Sequence, residues 1–234
     1  MAHPTRYVEL AGDLDRFFGE RLLSDDPQRN AALARGAEAG LPDHSVSPLQ
    51  GELLYILARL MGARRVLEIG LLAGVSTLHF ARAVGEGGEV VSLEIDPVSI
   101  ATASQSLKDA GVGNRVRILE GAAQHSLDCL IEEGEPAFDF VFIDADKSSN
   151  VAYLQRVLKL VRPGSAILAD NIVRNAAAVS GDPKDKRPAR DVIAFFDALG
   201  ASQDLRSTAV QTVGAKGYDG FTLSILKASA LSEP

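Results

Sequence analysis

Asp144 and Lys147, in the segment "DADK", and Asp170 and Asn171, in the segment "ADN", stand where they could act together. Each pair directly follows an apolar run: Phe140–Ile143 in the first case and Ala166–Leu168 in the second. Two carboxylates and an amide oxygen form a hard, all-oxygen donor set, which suits Mg²⁺ when water and a substrate complete its shell. Near such an ion a lysine is more readily neutral. A neutral lysine can take a proton, a role worth ~10²–10⁴-fold in rate. Plainer readings compete: the aspartates as helix caps or turn formers, and Lys147 as a salt-bridge partner of Asp144 or Asp146.

A second constellation lies upstream. "RVLEIGLLAGVSTL" puts Glu68 and Gly70 at the end of an apolar run and Gly74 at the start of a helical pattern. Glycines there let backbone approach a ligand closely, and the free N–H groups of a helix start give a polar edge. The spacing is Gly-x-x-x-Gly, not the Gly-x-Gly-x-x-Gly of a dinucleotide site, which speaks against a nicotinamide dehydrogenase. "EVVSLEID" ends its own run in Glu94, where a carboxylate can accept both hydroxyls of a ribose. Together these features suggest a nucleoside-bearing cofactor without a pyrophosphate. Capping or a surface role is the alternative for Glu94, and Asp96, before Pro97, reads as the cap of the next helix.

These residues need a scaffold that brings strand ends together. Apolar runs at Val66–Ile69, Val90–Leu93, Val116–Leu119, Phe140–Ile143 and Ala166–Leu168 alternate with helical patterns over Val75–Val84, Pro97–Ala110, Ala123–Ile131 and Ser149–Val161. Such alternation predicts βαβ units and a parallel sheet covered on both faces. In such sheets ligands bind at the carboxyl ends of strands, which is where all of the candidate residues fall. Beyond Asp170, a polar loop "SGDPKDKRPAR" leads to a helix over Asp191–Leu199 and to two β-like stretches, Leu205–Val213 and Phe221–Leu226. The first 62 residues read as helices: Val8–Leu23, a second with Asp25 or Asp26 as cap and Pro27 in its first turn, and a third capped by Ser47 and opened by Pro48. The expected fold class is therefore α/β, doubly wound, with a mostly parallel seven-stranded sheet and extra N-terminal helices. The chain is expected to form one domain over 1–234, with a helical cap at 1–62 and the catalytic core at 63–234.

Composition bounds the function. The 234 residues are 46% hydrophobic and carry a net charge of −7 without a basic face, which argues against a nucleic-acid partner. A lone cysteine, Cys129, excludes a disulfide framework within one chain and fits a reducing cytosol. The N-terminus lacks the pattern of a signal peptide, and no apolar run reaches the ~20 residues of a membrane span. A cytoplasmic protein with no membrane partner is expected. His44, His79 and His125 are scattered; His79 reads as a packed or surface residue, and Cys129 as core. Asp219, in "GYDGF", reads as a turn residue or a brace for the last hairpin.

"VLEIGLLAGVSTL", "VVSLEIDP", "EGAAQ", "FDFVFIDADKSSN" and "PGSAILADNIV" occur in that order. Over about residues 45–226 they resemble the cation-dependent catechol and caffeoyl-CoA type of S-adenosylmethionine O-methyltransferase. That resemblance implies a class I, Rossmann-like methyltransferase fold. It also implies S-adenosyl-L-methionine as cofactor and Mg²⁺, or another divalent cation such as Mn²⁺, held by Asp144, Asp170 and Asn171. It assigns Lys147 as general base, with Asp144 beside it, and Glu94 to the ribose. Val46, Glu68, Gly70, Gly74 and Ser76 fall around the methionine part, and Ala122, Ala123 and Gln124 by the adenine. Asp144 also borders the cofactor, and Lys147, Asn171 and Arg174 meet the acceptor. It further implies a homodimer. Departures from the family pattern are Leu72 and Val75, which make one wall aliphatic, Ala123 in place of a hydroxyl-bearing residue, and Val151 in place of tyrosine. The expected reaction is methyl transfer to a hydroxyl of a catechol-like small molecule. The alternatives are the same chemistry on another chelating hydroxyl, such as a natural-product or sugar diol, or a non-catalytic adenosylmethionine-binding protein.

Overall fold

The computed structural model describes residues 4–173, 179 and 186–228. Three helices lead: α1 (Pro4–Leu22), α2 (Pro27–Glu38) and α3 (Pro48–Leu60). The alternating part follows as β1 (Arg65–Ile69), α4 (Val75–Val84), β2 (Glu89–Glu94), α5 (Pro97–Asp109), β3 (Val116–Glu120), α6 (Ala123–Glu132), β4 (Phe138–Ile143), α7 (Asn150–Val157) and β5 (Val161–Asp170). Helix α8 (Lys186–Ala201) then leads into a hairpin of β6 (Leu205–Gly214) and β7 (Gly217–Leu226).

The seven strands form one sheet in the order β3-β2-β1-β4-β5-β7-β6. The first five are parallel, and β7 runs antiparallel between β5 and β6. The expected doubly wound, mostly parallel α/β sheet is thus the observed one. Its order reverses direction at β1 and β4, so the loops after these neighbouring strands leave on opposite sides and a crevice opens between them.

Burial on both faces explains why the strands read as continuous apolar runs. Leu54 and Ala58 of α3, Phe80 of α4, and Phe140 and Phe142 of β4 share one core. The Phe80 ring centroid lies 5.5 Å from that of Phe140 and 5.6 Å from that of Phe142. Val141 and Ile143 point the other way, to Leu127 and Leu130 of α6, Leu154 of α7 and Phe195 of α8. Asp139, the polar break in this run, lies at the far end of the strand from the candidate residues. Its carboxylate accepts from the backbone N–H groups of Arg64 (2.7 Å) and Arg65 (2.9 Å), clamping β4 to the start of β1.

Helix boundaries follow local chemistry. Asp26 caps α2 by accepting from Arg29 N, Ser47 caps α3 by accepting from Gln50 N, and Asp96 caps α5 by accepting from Val98 N and Ser99 N. The helix expected to run to Val161 ends at Val157, and β5 begins at Val161. β-Branched Val161 and the following Arg-Pro-Gly break the helical period there. Among the described residues, no helix is long and apolar enough to cross a membrane.

Candidate active site

A cleft of about 1600 Å³ opens at the carboxyl ends of β1, β2, β4 and β5. Its walls include Gly70 and Leu72, Glu94, Ala122 to Gln124, Asp144 to Lys147, and Asp170 with Asn171. Val46 and Ser47, just before and at the cap of α3, also line it, as does Ser76 of α4.

The turn between β1 and α4 is tightly constrained. Gly70 has φ +102° and its N–H donates to Leu93 O at 3.0 Å. A Cβ on Gly70 would stand 2.9 Å from the Asp144 carbonyl carbon and closer still to its oxygen, so only glycine fits. Gly74, at φ +80°, caps α4 against Ala103. Leu72 takes φ +49°, an uncommon conformation for a bulky residue. Glu94 braces it. One carboxylate oxygen accepts from Leu71 N and Leu72 N, both at 3.1 Å, and the other from Ile95 N (2.7 Å) and Asp96 N (3.0 Å). Glu94 therefore sits at the cleft as expected, but its lone pairs also hold the loop together.

Glu68 lies beneath this floor and is fully buried; neither it nor Gly74 is among the cleft-lining residues. Its carboxylate accepts from the hydroxyls of Ser76 (2.5 Å), Thr77 (2.5 Å) and Ser92 (2.6 Å). Burial pushes its pKa up to about 7 against the opposing pull of these hydroxyls. It pins the first turn of α4 onto β1 and β2.

On the opposite wall, Asp144 directly follows β4, and its N–H donates to Ile69 O at 2.9 Å. Ile143 pairs with Ala169 in register, so Asp144 and Asp170 end neighbouring strands side by side. Asp170 is only 4% exposed. Burial, and then the charge of Asp144, push its pKa up to about 6. Successive strand residues point to opposite faces; the φ of +54° at Asn171 breaks that alternation, and both Asp170 and Asn171 line the cleft. Lys147 Nζ donates to Asp144 Oδ1 at 3.0 Å, and the lysine side chain is largely buried. Among the described helices, neither Asp144 nor Asp170 is a side-chain cap. A crowded pair of carboxylates with an amide beside it fits a divalent cation by donor chemistry. Among the described residues no cluster of three or more His, Cys, Asp or Glu is arranged for a metal, so any such site depends on the Asn171 amide and on non-protein oxygen.

Ala122 is the N-terminal cap position of α6, and Gln124 Nε2 donates to Ser149 Oγ at 3.4 Å. Arg174 lies outside the described residues. Cys129, expected in the core, is half-buried, with its Sγ 3.7 Å from His125 Nε2. His79 is buried in α4. Asp219 accepts from Val173 N (3.1 Å) and Gly220 N (2.9 Å), bracing the chain just after Asp170 and Asn171.

Several wall residues were not foreseen. Gln50 Nε2 donates to Asp170 Oδ2 at 2.6 Å. Tyr153 Oη donates to Asp146 Oδ1 at 2.5 Å, holding the segment that carries Lys147. The β6–β7 hairpin supplies Gln211, Val213, Lys216 and Tyr218. Asp15 of α1 accepts from Ala215 N at 2.8 Å, and Lys216 Nζ donates to Ser45 O, so the hairpin tip is tied to both α1 and the segment before α3. Only the Ser47–Pro48 cap hinted at Gln50's position; its partner is a tertiary contact.

Residues 29–225 match the family described as O-methyltransferase. A catechol O-methyltransferase from Mycobacterium tuberculosis is 44% identical over 216 residues, covering 92% of this chain and 96% of its own. The O-methyltransferase from Bacillus cereus, solved in complex with SAH, superposes with a TM-score of 0.89 at 38% identity, over 94% of this chain and 100% of that one. The O-methyltransferase TomG from Streptomyces achromogenes, solved in complex with SAM, has a TM-score of 0.88 at 38% identity, over 94% and 98% of the two chains.

Proposed function

The chain belongs to the O-methyltransferase family, and from that premise we propose that it transfers the methyl group of S-adenosylmethionine to one hydroxyl of a catechol-like acceptor, with Mg²⁺ or Mn²⁺ at Asp144, Asp170 and Asn171. The observation that carries this reading is that the two strand-end carboxylates and Asn171 open onto the same cleft as the glycine turn and Glu94. The nucleoside end of the cofactor is then placed by Glu94 and the Ala122–Gln124 turn, and its methionine end by Val46, Gly70 and Ser76. Relatives solved with SAM or SAH support the cofactor, and the Mycobacterium tuberculosis relative supports the acceptor class.

In this reading the acceptor oxygen attacks the methyl carbon in line, the carbon–sulfur bond breaks, and the sulfonium leaves as a neutral thioether. The protein's part is positioning and electrostatics. A cation held by Asp144, Asp170 and Asn171 would supply Lewis acidity that lowers the pKa of the acceptor hydroxyl. Asp144 holds Lys147 at the cleft wall, and Lys147 Nζ, in its neutral form, takes the hydroxyl proton. Leu71, Leu72 and Val75 keep the methyl donor's surroundings apolar.

The test is a labelled-methyl transfer assay across catechols, catechol-bearing acids, aliphatic and sugar diols, and mono-phenols, with EDTA and with Mg²⁺ restored. Transfer should favour vicinal aromatic diols and vanish with EDTA. An undiminished rate in exhaustively chelated enzyme removes the cation from the reading; preference for an aliphatic or sugar diol moves it to the other acceptor class.

A further inference from the structure

Asp170 is almost fully buried beside Asp144, yet the nearby Nζ of Lys147 hydrogen-bonds to Asp144. Two neutral N–H donors hold Asp170 instead. Asn171 N donates to Oδ1 at 2.8 Å, and Gln50 Nε2 donates to Oδ2 at 2.6 Å.

The direction taken by Gln50 is informative. Ser47-Pro-Leu-Gln50 is a capping-box sequence, in which the third helical side chain ordinarily turns back to the N–H of the cap residue. Ser47 plays its half, accepting from Gln50 N at 3.2 Å. The Gln50 amide does not reciprocate; it crosses to a carboxylate 120 residues along the chain. A hydrogen bond to a charged acceptor is stronger than one to a neutral group. The same helix start also meets the rest of the cleft. Val46 and Ser47 line it, and Ser45 O accepts from Lys216 of the β6–β7 hairpin.

We propose that Gln50 is a positioning residue for the cation site: it fixes the Asp170 carboxylate and ties it to the N-terminus of α3, so that cation loading and cofactor seating favour each other. This rests on the cation reading given above. A carboxylate that accepts one N–H on each oxygen keeps a lone pair on each for an ion, and its rotation is arrested. Residues in this supporting position are worth about 10- to 100-fold in metal affinity. Coupling through the helix start is reciprocal by linkage: whatever factor the cofactor adds to cation affinity, the cation adds to cofactor affinity.

Mn²⁺ titrations followed by electron paramagnetic resonance, with and without S-adenosylhomocysteine, test this on native protein, Gln50→Met and Gln50→Asn. Methionine keeps the length and lacks the donor; asparagine keeps the donor and is one carbon too short. Both variants should bind Mn²⁺ about tenfold more weakly. Adenosylhomocysteine should tighten Mn²⁺ binding in native protein and lose that effect in both variants. In an Asp170→Asn background, Gln50→Met should add nothing further. Native protein that binds no Mn²⁺ ends the cation reading itself. Native binding with folded variants equal to it within twofold leaves that reading standing and overturns the role of Gln50. Native binding indifferent to adenosylhomocysteine overturns the linkage whether or not the variants fold.

Discussion

Gly70 and Asp144 meet backbone against backbone: the absent Cβ of one is what leaves room for the carbonyl of the other. The glycine turn at the proposed cofactor site and the first proposed cation ligand are therefore one mechanical unit. Gly70→Ala forces a methyl into that contact and must also hold φ +102°. It should cost about 3 kcal/mol of stability and weaken adenosylhomocysteine and Mn²⁺ together. Calorimetric titrations of both ligands decide it; loss of one with the other untouched separates what the geometry joins.

Lys147 gives a prediction that distinguishes proton transfer from a purely structural salt bridge. Lys147→Ala should keep cofactor and Mn²⁺ binding but lose ~10²–10⁴-fold in turnover. Because a phenol ionises near ~10, part of the loss should return as pH rises and the acceptor ionises unaided. A pH–rate profile parallel to that of the native enzyme would assign Lys147 to bridging Asp144 alone.

Glu94 is expected to act twice, on the ribose and on the turn. Charge-assisted hydrogen bonds are worth roughly 1.5–3 kcal/mol each, so adenosylhomocysteine affinity should fall in the order native, Glu94→Gln, Glu94→Ala. In the same variants the Leu71 and Leu72 amides, which donate to this carboxylate, should exchange with deuterium faster in the absence of ligand. Unchanged exchange would leave the ribose as the only role for Glu94.

The exposed side of α1 gives a prediction about assembly. Leu14, Phe17, Phe18 and Leu22 are 50%, 46%, 42% and 73% exposed, and Arg21 covers only the Phe17 ring. The neighbouring strand β6 is an open edge that exposes Val210. We propose a twofold homodimer through this surface, since apolar patches and free edges call for cover. Light scattering at micromolar concentration should give twice the chain mass, and Phe17→Glu with Leu14→Glu should give monomers. A native monomer mass rejects it.

The parallel part of the sheet was legible in the sequence because β1, β2, β4 and the end of β5 are covered on both faces and so read as mainly apolar runs. The strand-end positions of Asp144, Asp170 and Glu94 followed from those runs. What was not legible is tertiary. Nothing local to Ser47-Pro-Leu-Gln50 indicates that the amide leaves its cap for Asp170. Glu68 reads as another strand-end acid, but it precedes the last residue of β1 and is turned into the core, where three hydroxyls hold it. Cys129 fits an apolar helical pattern, yet it is only half-buried, with its Sγ beside His125 rather than in the core. The hairpin residues Gln211, Lys216 and Tyr218 carry no motif; the return of β7 beside β5 brings them to the cleft.

His79 and Glu68 should give the fold opposing pH dependences. Burial, and then the positive charge of Arg82, lower the His79 pKa from 6.5 to about 4. The unfolded chain takes up this proton below about pH 6.5 and the folded one refuses it, so stability is complete above that pH and falls as pH drops toward about 4. Glu68 behaves in the reverse sense, its pKa being raised from 4.5 to about 7. Its contribution is present below about pH 4.5 and is lost as pH rises to about 7, because the unfolded carboxyl ionises first. Each shift corresponds to no more than about 3 kcal/mol. Asp170, pushed up to about 6 in the metal-free chain, adds to the Glu68 trend. Urea midpoints of metal-free protein from pH 4 to 8 should therefore lose their acid-side decline in His79→Gln, and part of their decline toward neutral pH in Glu68→Gln. If His79→Gln keeps the native acid slope, the imidazole is protonated in the fold and its burial in α4 must relax to admit the charge.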